Sequence, residues 1–145
     1  MQNIEFFNLC VAEVLGECYE QFPVKCDLRY EEIGKRVVSH FPSEDVEKFT
    51  VTVMSASEVA AATIGWLDNA GYLWVGNEFY GGCSSVTLTP KSLELLNFIP
   101  DSLQQKKSIG AALAVESKNL GREGVLALVR TVLSQGARFS LSGSL

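Results

Sequence analysis

The side chains able to do chemistry in this sequence are few and scattered. Its single histidine, His40, stands alone beside Phe41-Pro42 and reads as a helix-end residue rather than a general base. Glu31-Glu32 and Glu44-Asp45 are adjacent acidic pairs. Neighbouring positions on a helix diverge by about 100°, so these carboxylates read as solvated surface and not as an acid–base couple. Gly81-Gly82 is a turn, since no strand–loop–helix with Lys-Ser or Lys-Thr surrounds it to cradle a phosphate. The four cysteines, Cys10, Cys18, Cys26 and Cys83, include no C-x-x-C pair and have one histidine to join them. A zinc site needs a closer ligand cluster and a disulfide framework an oxidising compartment, so free thiols, buried or half-buried, are expected. Side-chain catalysis needs a nucleophile with its base, a carboxylate pair in a cleft, or a metal. The sequence therefore points away from an enzyme, with no catalytic residue, cofactor or metal ligand to nominate.

The bulk composition is that of a folded domain. A chain of 145 residues, 47% hydrophobic and 20% charged, has room for one core, or one core with a short helical appendage. No apolar run approaches the roughly 20 residues needed to span a bilayer. The seven-residue run Ile109–Val115 is rich in small residues but stops at Glu116, so no membrane partner is expected. Met1-Gln2-Asn3-Ile4-Glu5 has no basic region and no small-residue cleavage site, which predicts a cytoplasmic protein without a secretory signal. The net charge of −5 is uneven: residues 1–60 hold 11 acids and 5 bases, residues 61–145 hold 6 and 7.

The elements that must position any site are clearer. Ile4, Phe7, Val11, Val14, Cys18 and Phe22 recur at helical intervals over residues 3–22, with Phe6, Cys10, Leu15 and Tyr19 widening the stripe and Pro23 closing it. Val24–Leu28 is a short strand candidate, and Tyr30, Ile33, Val37 and Phe41 mark a second helix closed by Pro42. Ser43–Met54 is ambiguous, a short helical turn followed by a loop with β-branched Thr50–Val53. Ser55-Ala56-Ser57-Glu58 fits a capping box and opens an alanine-rich helix burying Val59, Ala62, Thr63, Trp66 and Leu67 or their neighbours. That helix ends at a left-handed cap, Asn69-Ala70-Gly71. Tyr72–Val75 and Ser85–Leu88 alternate as two strands of a hairpin, with residues 77–82 as its loop. Thr89-Pro90 then starts a helix carrying Leu93, Leu95 and Leu96, which Pro100 ends. Two further helices are predicted, about 102–117 and 122–135, joined at Asn119-Leu120-Gly121 and followed by a flexible tail over 140–145.

The run Thr63-Ile-Gly-Trp-Leu-Asp-Asn-Ala-Gly-Tyr-Leu-Trp-Val, followed by Val86-Thr-Leu-Thr-Pro-Lys-Ser-Leu-Glu-Leu-Leu, resembles the winged helix-turn-helix superfamily over about residues 3–98. Bacterial members often carry "W-L-x-x-x-G-Y-L", a wing, and then "L-T-x-K-G-x-x-L-L"; here Ser92 replaces the glycine of the last motif. The resemblance implies a winged-helix domain over 1–100 with a small β-hairpin wing; with the C-terminal helical pair read from the residues over 101–139, packed on that domain or on a second subunit, the expected fold is α+β, mostly α. The resemblance also places the helix of residues 57–70 where recognition occurs. Winged helices serve both as DNA readers and as protein-contact modules.

Charge separates those two uses. DNA affinity rests largely on cations neutralising phosphates. The helix of residues 57–70 has no Lys or Arg, and residues 30–89 hold 8 acids against 3 bases, a balance of −5. The sequence thus favours a non-enzymatic protein-interaction or regulatory module. The alternative, a DNA-binding transcriptional regulator, has to gather Lys35, Arg36, Lys48 and Lys91 on one surface, as across a dimer. Phe79 and Tyr80 at the wing tip, with Trp74 nearby, are the candidate partner contact unless they fold back onto the ribbon. Val125, Leu126, Val129, Val132 and Leu133 are too apolar to leave wet, and need either the first helix of the same chain or a second copy. A homodimer through this helix is the expectation.

Overall fold

The first helix carries more apolar surface than one neighbour can cover, and the rest of the chain is laid around it. The computed structural model describes residues 3–42, 44, 56–100, 107–115 and 117–141. Within them the order is α1 (Asn3–Gln21), β1 (Cys26–Arg29), α2 (Tyr30–Val38), α3 (Ala56–Asn69), β2 (Leu73–Trp74), β3 (Asn77–Phe79), β4 (Gly82–Leu88), α4 (Pro90–Asn97), α5 (Ile109–Val115) and α6 (Ser117–Leu141). The fold is mostly helical with a small antiparallel sheet. The ambiguous stretch over 43–54, the cap at Ser55 and the final residues 142–145 lie outside the described residues, apart from Glu44.

Phe6, Leu9, Cys10, Val11, Val14, Leu15 and Cys18 of α1 are all buried. Helices α2, α3, α5 and α6 and strands β1 and β4 all pack against it. The approach of α5 is close, and residue size permits it. A Cβ on Gly16 would stand 2.9 Å from the Leu113 carbonyl oxygen, and one on Gly110 would run into the Tyr19 ring. The small residues of Ile109–Val115 thus serve helix–helix contact inside the chain.

The sheet differs from the predicted hairpin in one respect. Leu73 pairs with Leu88 and Trp74 with Thr87, as expected, but Asn77, Glu78 and Phe79 pair with Ser84, Cys83 and Gly82. Residues 77–82 are therefore not an open loop: β2 and β3 form one interrupted strand in a single register against β4. Between them the Gly76 N–H donates to Ser84 and Ser85 carbonyls, and Ser85 takes a positive φ of 57°. β1 lies on the other side of β4, with Cys26 opposite Val86.

Two of the expected caps form, at Gly71 and Thr89. Gly71 has φ +83°, and the Tyr72 N–H closes onto the Leu67 carbonyl at 2.9 Å. Thr89 caps α4, its hydroxyl accepting from the Ser92 N–H at 3.3 Å. The buried face of α3 is shifted from the expected one: Ala60, Thr63, Ile64 and Leu67 are inside, while Ala62 and Trp66 are outside.

At the C-terminus the break falls at Gly121 (φ 71°), and the last helix runs to Leu141, past the predicted end at 135 and into the predicted tail. Val125, Leu126, Val129 and Val132 are fully buried within the chain, in the same core as α1 and β4, and Leu133 is half-buried. The home of this helix is its own chain. Those four side chains are not offered to a second copy, so a homodimer loses the face that motivated it. The helical pair closes the core that residues 1–100 leave open and is not an appendage. No helix among the described residues is long and apolar enough to cross a membrane.

Leu126→Ala should remove about 2–5 kcal/mol of unfolding free energy, the usual cost of emptying a core leucine site. Because the site lies inside one chain, the loss measured by urea titration should be the same at low and high protein concentration. A second expectation concerns alkali. Burial pushes the Cys10 thiol up from 9.0 to about 12. Between those values the unfolded chain gives up the proton while the native chain keeps it, so stability falls as pH rises, by up to about 1.4 kcal/mol per pH unit from this group. Cys10→Ala should flatten that limb of the stability–pH curve.

Candidate functional site

The turn between β3 and β4 is held by the chain it faces. Phe79 pairs with Gly82, leaving Tyr80-Gly81 as the turn, and the Gly81 carbonyl accepts the Tyr30 N–H at 3.0 Å at the start of α2. Helix α3 comes close to α2 at the same end, where a Cβ on Gly34 would meet the Ala56 Cβ at 2.9 Å. The tip, the first turns of α2 and the first turns of α3 thus enclose a groove of ≈ 750 Å³, lined by Arg29, Tyr30, Glu31, Glu32, Lys35, Ser57, Glu58, Ala61, Tyr80 and Gly81. Three carboxylates stand against two cations there, and one cation, Lys35, lies 3.3 Å from Glu31 in an exposed i,i+4 pair. Burial, with Cys83 and Glu78 nearby, pushes the Tyr30 phenol up, so it stays neutral.

The aromatic residues of β2, β3 and the β3–β4 turn do not fold away. Tyr80 is fully exposed at 102%, Trp74 is 58% exposed and Phe79 is 43% exposed. Only Phe79 leans inward, its ring 3.0 Å from where a Cβ on Gly82 would be. The outer face of α3 continues the surface with small side chains; a Cβ on Gly65 would meet nothing within 4 Å. Trp66, 47% exposed, ends the strip, held edge-on to Phe7 at 5.3 Å and stacked on Tyr72 at 6.1 Å.

The cations nominated for DNA do not gather. The Arg36 Nη2 donates to Glu17 Oε2 at 3.0 Å, and its Nε lies 3.4 Å from Glu13 Oε2. Lys91 is spent at the far end of α3, donating to the Ala70 carbonyl at 2.9 Å with its ammonium 4.3 Å from the Tyr72 ring centre. The partial desolvation this brings pulls its pKa down. The length of α3, roughly 20 Å, separates Lys91 from Gly34 and its neighbours on α2. Lys48 lies outside the described residues.

A second cleft, which the sequence did not reveal, explains where Arg36 and His40 go. Glu13, Glu17 and Glu20 of α1 face Lys35, Arg36, Ser39 and His40 across ≈ 780 Å³. His40 Nε2 is 3.8 Å from Glu13 Oε1. Burial pushes the Glu17 carboxyl up, against the lowering effect of Arg36. The signal was available: Glu13/Glu17 and Arg36/His40 are each spaced i,i+4, so each pair lies on one helix face. The cleft ties α1 to α2 by charge. Cys18 and Cys26 also meet, their sulfurs 3.4 Å apart, and all four cysteines are buried free thiols. Among the described residues no His, Cys, Asp and Glu group is arranged to hold a metal ion.

Ser92 has a visible task. Its hydroxyl donates to the Tyr72 carbonyl at 2.7 Å and is wholly buried, joining α4 to the turn that ends α3. Comparison with protein-family models, curated proteins and solved structures finds no match to this chain. The functional reading therefore rests on the surface just described.

Ser92→Ala should leave the Tyr72 carbonyl without this donor and lower the unfolding free energy by about 1–3 kcal/mol. Ser92→Gly should cost at least as much in a urea titration, because it removes the same hydroxyl and adds the backbone freedom of glycine to the first turn of α4.

Proposed function

We propose that this chain is a cytoplasmic, non-enzymatic winged-helix protein that works as a protein-interaction or regulatory module. Its contact surface is the groove between the wing tip and the first turns of α2 and α3, continued along the bare outer face of α3. In the winged-helix reading α3 occupies the recognition position and β2–β4 form the wing. The observation that carries the proposal is the composition of that surface: exposed Tyr80 and Phe79 beside Glu31, Glu32 and Glu58, with α3 free of Lys and Arg. Interfaces are enriched in aromatic residues at their centres, whereas a polyanion requires cations at the contact. The partner that fits is a polypeptide segment presenting an apolar side chain flanked by basic ones.

Two measurements test this. Fluorescence anisotropy with random-sequence duplex DNA at low salt should show no saturable binding. Affinity that appears there and collapses as salt is added would favour the DNA-binding regulator instead. Capture of partner from the native cytoplasm by the tagged protein should be lost in the Phe79→Ser/Tyr80→Ser double variant. Undiminished capture would remove the wing tip from the contact.

A further inference from the structure

On the opposite side of α4 from its cap, α4 and α6 diverge around a separate pocket of ≈ 460 Å³. Its walls are apolar: Leu95 and Phe98 at the end of α4, Ile109 at the start of α5, and Val132 and Phe139 on α6. Two hydrogen bonds lie beside it. The Ile109 N–H donates to the Phe98 carbonyl at 2.9 Å, and the Tyr19 hydroxyl donates to Asn97 Oδ1 at 2.8 Å. Ligand pockets are commonly about 300–1,000 Å³, apolar in their walls, with a few polar groups that fix orientation.

The polar groups at this entrance are opposite in sign. Glu94 comes from the α4 wall and Arg138 from the α6 wall. Neither has an ion pair or hydrogen bond among the described residues. A simple carboxylate entering the pocket would satisfy Arg138 and be repelled by Glu94, and a simple amine would meet the reverse. An apolar body with a zwitterionic head satisfies both, and its side chain fills the apolar floor.

We propose that this pocket binds a free apolar α-amino acid, its carboxylate on Arg138, its ammonium on Glu94 and its side chain against Leu95, Ile109 and Val132. The site is separate from the wing groove and does not depend on the winged-helix reading.

The test uses probes that share one body. L-phenylalanine, 3-phenylpropionate (no amino group) and 2-phenylethylamine (no carboxylate) are titrated into the full chain, with L-leucine as a second amino acid, and backbone amide shifts are followed by NMR. Saturable shifts over residues 94–98 and 131–139 are expected with an amino acid, and each single-charge fragment should bind at least about tenfold more weakly. Arg138→Gln should reduce L-phenylalanine to the level of the amine, and Glu94→Gln to the level of the acid. Gln135→Trp, which fills the entrance from an exposed position, should abolish binding of all three. These three positions are at the surface, so the variants should keep the parent's spectral dispersion. The proposal is overturned if neither amino acid gives saturable shifts at millimolar concentration. It also fails if a single-charge fragment binds as tightly as L-phenylalanine, or if the two charge variants leave affinity unchanged.

Discussion

The close seating of α5 on α1 is the contact on which the rest of this structure depends. Helix α1 buries residues on almost every side, which a two-layer arrangement cannot provide for. The sheet and α3 cover part of it, and the remainder is covered because Gly16 and Gly110 let α5 approach to backbone contact. Once α5 is seated, α6 follows with Val125, Leu126, Val129 and Val132 in one continuous core. The C-terminal helices are then structural partners of α1, and the outer face of α3, the turn between β3 and β4 and the space between α4 and α6 are left at the surface.

Much of this was legible in residue spacing. The periods of three and four in α1 and α2, the left-handed cap at Gly71 and the Thr89-Pro90 start of α4 each rest on local chemistry that the sequence carries directly. Strand β3 was not legible, because Asn77, Glu78 and Phe79 are all exposed and show no alternation; their pairing depends on backbone register against β4. The buried face of α3 was misplaced by a small rotation for a related reason. In an alanine-rich helix apolar residues lie all round, so periodicity cannot choose between Ala60 and Ala62, and Trp66 is held outside by stacking with Phe7 and Tyr72. The destination of α6 was undecidable from pattern alone. A wide apolar stripe specifies burial but not which chain supplies the cover.

The candidate site was readable in composition but not in geometry. Tyr80 and Phe79 could be nominated because glycines flank them, yet the groove beside them is a tertiary feature, in which the Tyr30 N–H reaches the Gly81 carbonyl. The cations illustrate the converse. Lys35, Arg36 and Lys91 look available in sequence, and two of them are structural: Arg36 bridges Glu13 and Glu17, and Lys91 satisfies a carbonyl left over at the end of α3. The pairing of Glu94 and Arg138 at one entrance, 44 positions apart in sequence (138 − 94), belongs to tertiary structure alone.

The electrostatic consequence goes beyond counting charges. A lysine that caps a helix end and lies over an aromatic ring cannot swing out to a phosphate without exposing the carbonyl it covers, so its charge is committed to the fold. Arg36, divided between two carboxylates, is held in the same way. Any polyanion approaching α3 would therefore meet Glu58 and Asp68 with no compensating cation on that helix, and each phosphate brought near would add repulsion in place of counterion release. A basic polypeptide reverses every one of those signs. Under the proposed reading it would meet the carboxylates of the groove and the exposed Tyr80 beside them, and in such an arrangement charge sets orientation and an aromatic anchor supplies affinity.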